Sequence, residues 1–447
     1  MSAPTSIVLF TYRVGFGDCF LLRFGYAKGR DRHLLVDFGS TAPASDRIGS
    51  QMTEIAEDIA RRCNGKLDAV VVSHRHADHL SGFAGKSWPI IRDLKPDLVV
   101  LPWTEDPDAA PDATNRTRRS APGASSLSSG HVAALSAMHE VAAAVVDEVR
   151  EKGDAAALRA RRRATPEEDA DEAGDWVPAS RQFSKSLTNQ LMFLGEENLA
   201  NAPAVNNLRK LPREFLRYGD EKTKLEQLLP GVKVTVLGPP TLEQTESIRK
   251  QRKVDPEEFW HVASRAVASS SGRTPPLFRG VKPVPIARQP LEVRWFVKRM
   301  DGIRGEELLE IVRILDAAMN NTSLILLFEA CGKKLLFPGD AQIENWSYAL
   351  SRKGTARLLA GVDLYKVGHH GSLNATPKRL WGLFRKRGPK RKLTAVLSTR
   401  PGKHGSPGRG TEVPRAKLVK ALAAETTLVS TTELRAKKEF VTETRIA

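Results

Sequence analysis

The stretch LDAVVVSHRHADHLSG, Leu67 to Gly82, constrains this chain more than any other. Six nearly apolar residues run directly into His74, His76, Asp78 and His79. The β-branched run predicts a buried strand, and the histidines begin where it ends. Side chains alternate along an extended segment, so His74 and His76 can face the same way. Asp78 and His79 follow in a turn before the next helix. Neutral imidazoles beside a carboxylate are the donors that borderline cations such as zinc prefer. A histidine-rich surface loop is the bland alternative. The apolar strand directly ahead, and a total of only ten histidines in 447 residues, argue against it. The pattern predicts a metal site in which His74 and His76 grip one cation while Asp78 and His79 address a neighbour.

Around this motif the chain reads as alternating strands and helices. Residues 6–13 and 19–24 predict strands joined by the turn GFGD, and HLLVDFGS (33–40) predicts another that ends in Asp37 and a glycine. Helical spacing covers 48–65, with Gly65 as its stop, and PDLVVLPW (96–103) is one more strand. The pattern then breaks from about 105 to 230. Within that span AALRARRRATPEEDADEAGD (156–175) predicts an exposed helix running into a flexible loop. VKVTVLGPP (232–240) returns to strand. Residues 241–318 read as helical or irregular and include the basic, proline-containing RGVKPVPIARQP. Strands resume at 322–330 and 333–341 as a hairpin through Cys331–Gly332. A helix over 343–358 and the segment VDLYKVGHHGS (362–372) follow. One α/β fold with a large, partly helical insertion explains this better than two tandem domains. The expected division is 1–104 and 321–447 as two halves of the fold, with 105–320 largely inserted apart from a core strand near 232–240.

Bulk properties narrow the setting. No apolar run reaches the length that crosses a bilayer, and the first residues read as a strand rather than a signal peptide. Cys19, Cys63 and Cys331 are odd in number and far apart, so no disulfide framework is expected and a cytoplasmic location is. Lysine and arginine total 69 against 52 acidic residues, a net charge of +17 with histidines neutral. Such an excess favours polyanionic partners. The segment PKRLWGLFRKRGPKRK (377–392) concentrates it. There Trp381 and Phe384 are interleaved with Lys378, Arg379, Arg385, Lys386, Arg387, Lys390, Arg391 and Lys392. Following the last histidine element, this segment is expected at the mouth of the site, its cations gripping phosphates. Its aromatic residues have an alternative role, packing inward while the cations are merely solvated.

The chain resembles the metallo-β-lactamase-fold hydrolase superfamily, whose hallmark is H-x-H-x-D-H after a buried strand. The resemblance extends to the strand-end aspartate of LLVDFGS, the G-D element of LLFPGDA and the histidine element of LYKVGHHGS. Within the superfamily, VGFGDCFLLRF, VTVLGPP, NNTSLILLFEACGKKLLFPGDA and YKVGHHGS are similar, in order, to the hydrolase domain of the competence protein ComEC and its soluble relatives. The resemblance implies an αββα sandwich of two mixed sheets flanked by helices. It implies that Asp37 orients the site, that Asp340 bridges two metals, and that His369 or His370 completes the second metal's shell. It further implies one or two zinc ions, with manganese as an alternative, and nuclease or phosphodiesterase chemistry.

Two departures from the family pattern stand out. Two-metal members place a further histidine between the H-x-H-x-D-H and G-D elements. Here His131, His139 and His261 fall in inserted sequence and read as ordinary surface or helix histidines, while MNNTSLIL offers Asn320, Asn321 and Ser323. Relatives also carry a late loop histidine. RPGKHGSPGRGTEVP (400–414) offers His404, slightly displaced, either for a leaving group or as a plain loop residue.

Cations held by these ligands would acidify water and polarise a scissile bond, with Asp78 helping to orient the attacking group. The leading expectation is a metal-dependent phosphodiesterase or nuclease acting on nucleic acid. Hydrolysis of a small ester, lactone or phosphocholine-like group is the alternative. A third reading is a partner-binding subunit whose insertion docks another protein, as in multi-protein anti-phage defence systems.

Overall fold

Two β-sheets lie face to face, and the chain crosses between them at its very end. The computed structural model describes residues 2–42, 51–106, 201–241 with 244, 319–372, 376–404, 412–434 and 439–447. The first sheet contains β1 (Ser6–Tyr12), β2 (Cys19–Gly25), β3 (Arg32–Phe38), β4 (Ala69–Val71), β5 (Leu98–Pro102) and β6 (Arg213–Leu216), with β13 (Val441–Arg445) as its other edge. Strands β1 to β3 are antiparallel; β3 to β6 run parallel. The second sheet runs in the order β12 (Thr427–Ser430), β11 (Thr394–Leu397), β10 (Leu364–Lys366), β9 (Lys333–Phe337), β8 (Ile325–Ala330) and β7 (Lys233–Gly238). Strands β7 to β9 are antiparallel, and β9 to β12 parallel.

Alternation along each strand sorts side chains into three apolar layers. Ile7 and Leu9 of β1 meet Leu326 and Phe328 of β8 in the layer between the sheets. Val8, Phe10 and Tyr12 face the other way, under α1 (Gln51–Arg62), α3 (Ser87–Asp93) and α4 (Ala202–Leu208). On the far side Ile325, Leu327 and Tyr365 pack under α6 (Ile343–Ser351), α7 (Thr355–Ala360), α8 (Lys378–Leu383) and α9 (Ala416–Glu425). Two short helices complete the described set, α2 (Ala77–Leu80) beside the histidines and α5 (Lys224–Leu228) before β7. This is the αββα sandwich of the metallo-β-lactamase fold, and the described residues all belong to one compact unit.

Several sequence expectations change in detail. The helix expected over 343–358 is two helices, because Gly354 takes a left-handed backbone (φ 89°) that breaks the turn between them. The span 105–230 is not uniformly irregular: α4, β6 and α5 lie within it, and β6 closes an edge of the first sheet. Residues 201–241 are therefore part of the sandwich rather than of an insertion. At the C-terminus β13 returns to the first sheet, pairing with β1 from Val8↔Arg445 to Tyr12↔Val441. The segments 156–175 and RGVKPVPIARQP lie outside the described residues.

The parallel strands matter most for function. β3, β4, β9, β10 and β11 all end at one rim of the sandwich, and the loops leaving those ends carry the chemistry.

Candidate metal centre

Strand β4 is short because the chain leaves the sheet at Val72 to present Ser73 through His76, followed by Asp78 and His79 on α2. Asp37, at the end of β3, holds this segment from behind. Its Oδ1 accepts from the Ser73 N–H at 2.7 Å, and its Oδ2 accepts from Ser73 Oγ and His79 Nδ1, both at 2.8 Å. Asp37 adopts a left-handed backbone (φ 55°), which the three hydrogen bonds stabilise. Gly39, just after it, is required by contact: a Cβ there would lie 2.4 Å from the Ala77 carbonyl oxygen, so α2 can sit this close only against glycine. The DFGS motif is thus a seat for the histidine helix.

From the second sheet, Asp340 follows β9 and His370 follows β10. Gly339 has φ 54°, and a Cβ there would lie 2.6 Å from Ser73 Cβ, so the two loops meet through a glycine. His370 is fully buried. Its Nδ1–H donates to the Ser398 carbonyl at 3.1 Å, which aims Nε2 at Asp78 Oδ2 (3.0 Å) and Asp340 Oδ2 (3.4 Å). His79 Nε2 lies 3.1 Å from the same Asp340 oxygen.

Potential ligand atoms fall into overlapping groups: Asp78, His79, Asp340 and His370; His74, His76 and Asp78; and Asp18, Asp37 and His79. The first two groups share Asp78. Asp340, which the resemblance implies as a bridge, belongs to the first. Of the two histidines in HHGS only His370 joins a cluster. The His369 Nδ1 is instead 2.9 Å from Ser372 Oγ, and its backbone N–H donates to Asp340 Oδ1 at 3.0 Å.

Two residues absent from the sequence reading complete the centre. Asp18, in the GFGD turn, is buried and forms an ion pair with the buried ammonium of Lys366 on β10. Lys366 also donates to the Gly339 carbonyl (3.1 Å) and Asp340 Oδ1 (3.3 Å), which leaves Asp340 Oδ2 facing the histidines. A lysine between the buried residues of LYKV was the visible signal, because a buried lysine needs a carboxylate partner.

Electrostatics follow from burial. Four carboxylates, Asp18, Asp37, Asp78 and Asp340, are buried around one ammonium. Burial alone would lower the His79 imidazole's pKa; Asp340, Asp37 and Asp78 outweigh it and push it well above the ordinary value. Burial would raise the Asp340 carboxyl, but His79, His370 and Lys366 hold it well below the usual range. Asp78 Oδ1 is buried and accepts no hydrogen bond. Clustered buried carboxylates, a bare carboxylate oxygen and converging imidazoles are what divalent cations satisfy, so the residues fit metal binding.

The remaining expectations fall as follows. His131, His139 and His261 lie outside the described residues. In the NNTS loop, Asn321 Nδ2 donates to Glu344 at 3.0 Å, and Ser323 Oγ accepts from the Asp340 N–H at 3.3 Å. This loop therefore buttresses the Asp340 side. His404 stands one ring away from the cluster: Phe16 lies 4.4 Å from both the His370 and His404 rings. Burial lowers the His404 pKa to about 4.

The basic segment is the clearest displacement. Phe384 is buried against Tyr365, and Trp381 packs edgewise on Phe384 with the Arg387 guanidinium over its ring. Lys386 pairs with Asp363 at 2.6 Å, and Arg387 with Glu425. Arg379 donates to the Leu350 carbonyl and Arg391 to that of Ala424. Lys378, Arg385, Lys390 and Lys392 are exposed. Helix α8 carries the chain back along the sheet, so residues 385–392 lie at the amino ends of β10 and β11, where the Leu393 N–H meets the Lys386 carbonyl. The cluster lies at the carboxyl ends, a strand's length away.

A family model described as the Metallo-beta-lactamase superfamily matches residues 12–85. The match spans Asp18, Asp37 and His74 to His79; Asp340 and His370 join them through the fold. No curated protein matches the chain. No helix among the described residues is long and apolar enough to cross a membrane. The sandwich, the histidine–aspartate cluster and this local match together suggest a metal-dependent hydrolase.

Proposed function

We propose that this hydrolase is a phosphodiesterase, acting as a nuclease on DNA or RNA. The observation that carries the reading is the pair of ligand groups joined through Asp78, an arrangement suited to in-line attack on a phosphodiester. The net charge of +17 and the four sequence blocks similar to ComEC-type domains point to the same substrate class.

Zinc or manganese ions held by His74, His76, Asp78, His79, Asp340 and His370 would acidify water toward neutral pH and polarise the non-bridging oxygens. The chain's own residues fix the geometry. Asp37 and the Ser398 carbonyl take the Nδ1 protons of His79 and His370, so that both Nε2 atoms face inward. Lys366 occupies one oxygen of Asp340 and leaves the other for the centre. His404 is neutral at pH 7 and packs edgewise on Phe16, and the preceding Lys403 adds a positive charge to the same loop; His404 is suited to a leaving group.

The displacement of residues 385–392 from the cluster favours a second reading, a small ester, lactone or phosphocholine-like substrate that needs no extended basic track. One comparison separates the two. Metal-loaded protein is assayed on single-stranded DNA, RNA, bis(p-nitrophenyl) phosphate and p-nitrophenyl butyrate. The proposal expects phosphodiester cleavage that Asp340→Ala abolishes and that falls steeply with salt on the polymers. Turnover confined to the carboxyl ester would overturn it.

A further inference from the structure

The residue between the two leading histidines has no part in the cluster. Arg75 is only 8% exposed and lines a separate narrow cleft, open to solvent, between β4, β5, β6 and α4. None of the candidate metal ligands lines it. Its walls are apolar, with Val72, Leu101, Leu208 and Phe215 among them, and its charged residues are Arg75, Arg209, Arg213 and Glu105.

Three guanidiniums therefore face one carboxylate. Glu105 Oε2 is 3.7 Å from Arg75 Nη1, too long for a hydrogen bond, and Arg75 Nε has no hydrogen-bond partner. Arg213 donates to the Arg209 backbone carbonyl, and the Arg209 side chain makes no ion pair among the described residues. A buried guanidinium carries five donors in a planar fork; here the Glu105 ion pair is long and Nε is left unmet, which is costly. Such a fork matches an oxyanion bidentately. Apolar walls with a few convergent polar groups suit the anionic end of a small organic molecule.

We infer that this cleft is an anion-binding site for a phosphate or carboxylate carried on a small apolar body, with Arg75 as the buried anchor and Arg209 and Arg213 at the rim. The inference is independent of what the metal centre hydrolyses. An occupant would grip the H-R-H segment from the face opposite the cluster.

Calorimetric titration of the metal-loaded full chain tests it, with phenyl phosphate and benzoate as probes and benzyl alcohol as the neutral control. One saturable site is expected. Arg75→Gln and Arg209→Gln should each weaken binding at least tenfold, Asp340→Ala should leave it unchanged, and benzyl alcohol should not compete. The tighter probe assigns phosphate or carboxylate. If Arg75→Gln does not fold, Arg209→Gln decides, because its exposed side chain supports no contact the fold requires. The inference fails if no probe saturates, if neither arginine variant weakens binding, if benzyl alcohol competes equally, or if only Asp340→Ala abolishes binding, which would place the probe on the metal centre.

Discussion

Lys366 shows how the centre is held together at the scale of single residues. Its ammonium is enclosed between Asp18 and Asp340, and removing one partner of a buried pair leaves the other charge uncompensated. Lys366→Met is expected to lose about 3–5 kcal/mol in urea unfolding of chelator-treated protein, with Lys366→Met/Asp18→Asn recovering part of it. A loss under about 1 kcal/mol would mean that the pair is not a structural tie. His74, His76, Asp78 and His79 were legible in the sequence because four donors follow one strand within six positions. Asp18 and Lys366 were not, since each is ordinary in its own segment and they meet only when the two sheets close. That His370 rather than His369 joins the candidate ligand cluster was equally hidden. It depends on a left-handed turn in which both residues have positive φ, 50° and 44°, and consecutive letters do not encode that.

Elements explain the next layer. β-branched and aromatic runs made most strands visible, and their alternation places one face between the sheets. β6 escaped because REFL is short and flanked by basic residues. It buries Glu214, which the Lys224 N–H satisfies at 2.9 Å, so its pattern lacks the usual apolar signature. Topology also moved the basic run. A segment that leaves the carboxyl end of β10 and enters the amino end of β11 must travel the length of the sheet. Neutralising Lys390, Arg391 and Lys392 to glutamine is therefore expected to leave cleavage of a dinucleotide within about twofold, while lowering the salt slope of long-DNA binding. A tenfold loss on the dinucleotide, measured as kcat/KM, would place these cations at the reacting phosphate instead.

At the scale of the whole molecule, the sandwich assembles from segments separated by sequence that the family match does not reach. Residues 201–241 supply edge strands to both sheets, so a deletion through 230 would remove β6 and damage the fold. Replacing 107–200 by a short flexible linker is expected to keep both metal content and bis(p-nitrophenyl) phosphate hydrolysis. If this segment also docks a protein partner, association is the property that deletion removes. Loss of bound metal in that variant would show that the segment contributes to the centre itself, as a ligand histidine from His131 or His139 would.

A two-cation centre joined through Asp78 has a direct consequence for metal content per chain. Protein purified without added metal should hold about two ions in the wild type, about one in His370→Ala and close to none in Asp78→Ala. A wild type holding one ion or none, or an Asp78→Ala variant that keeps both, would contradict it.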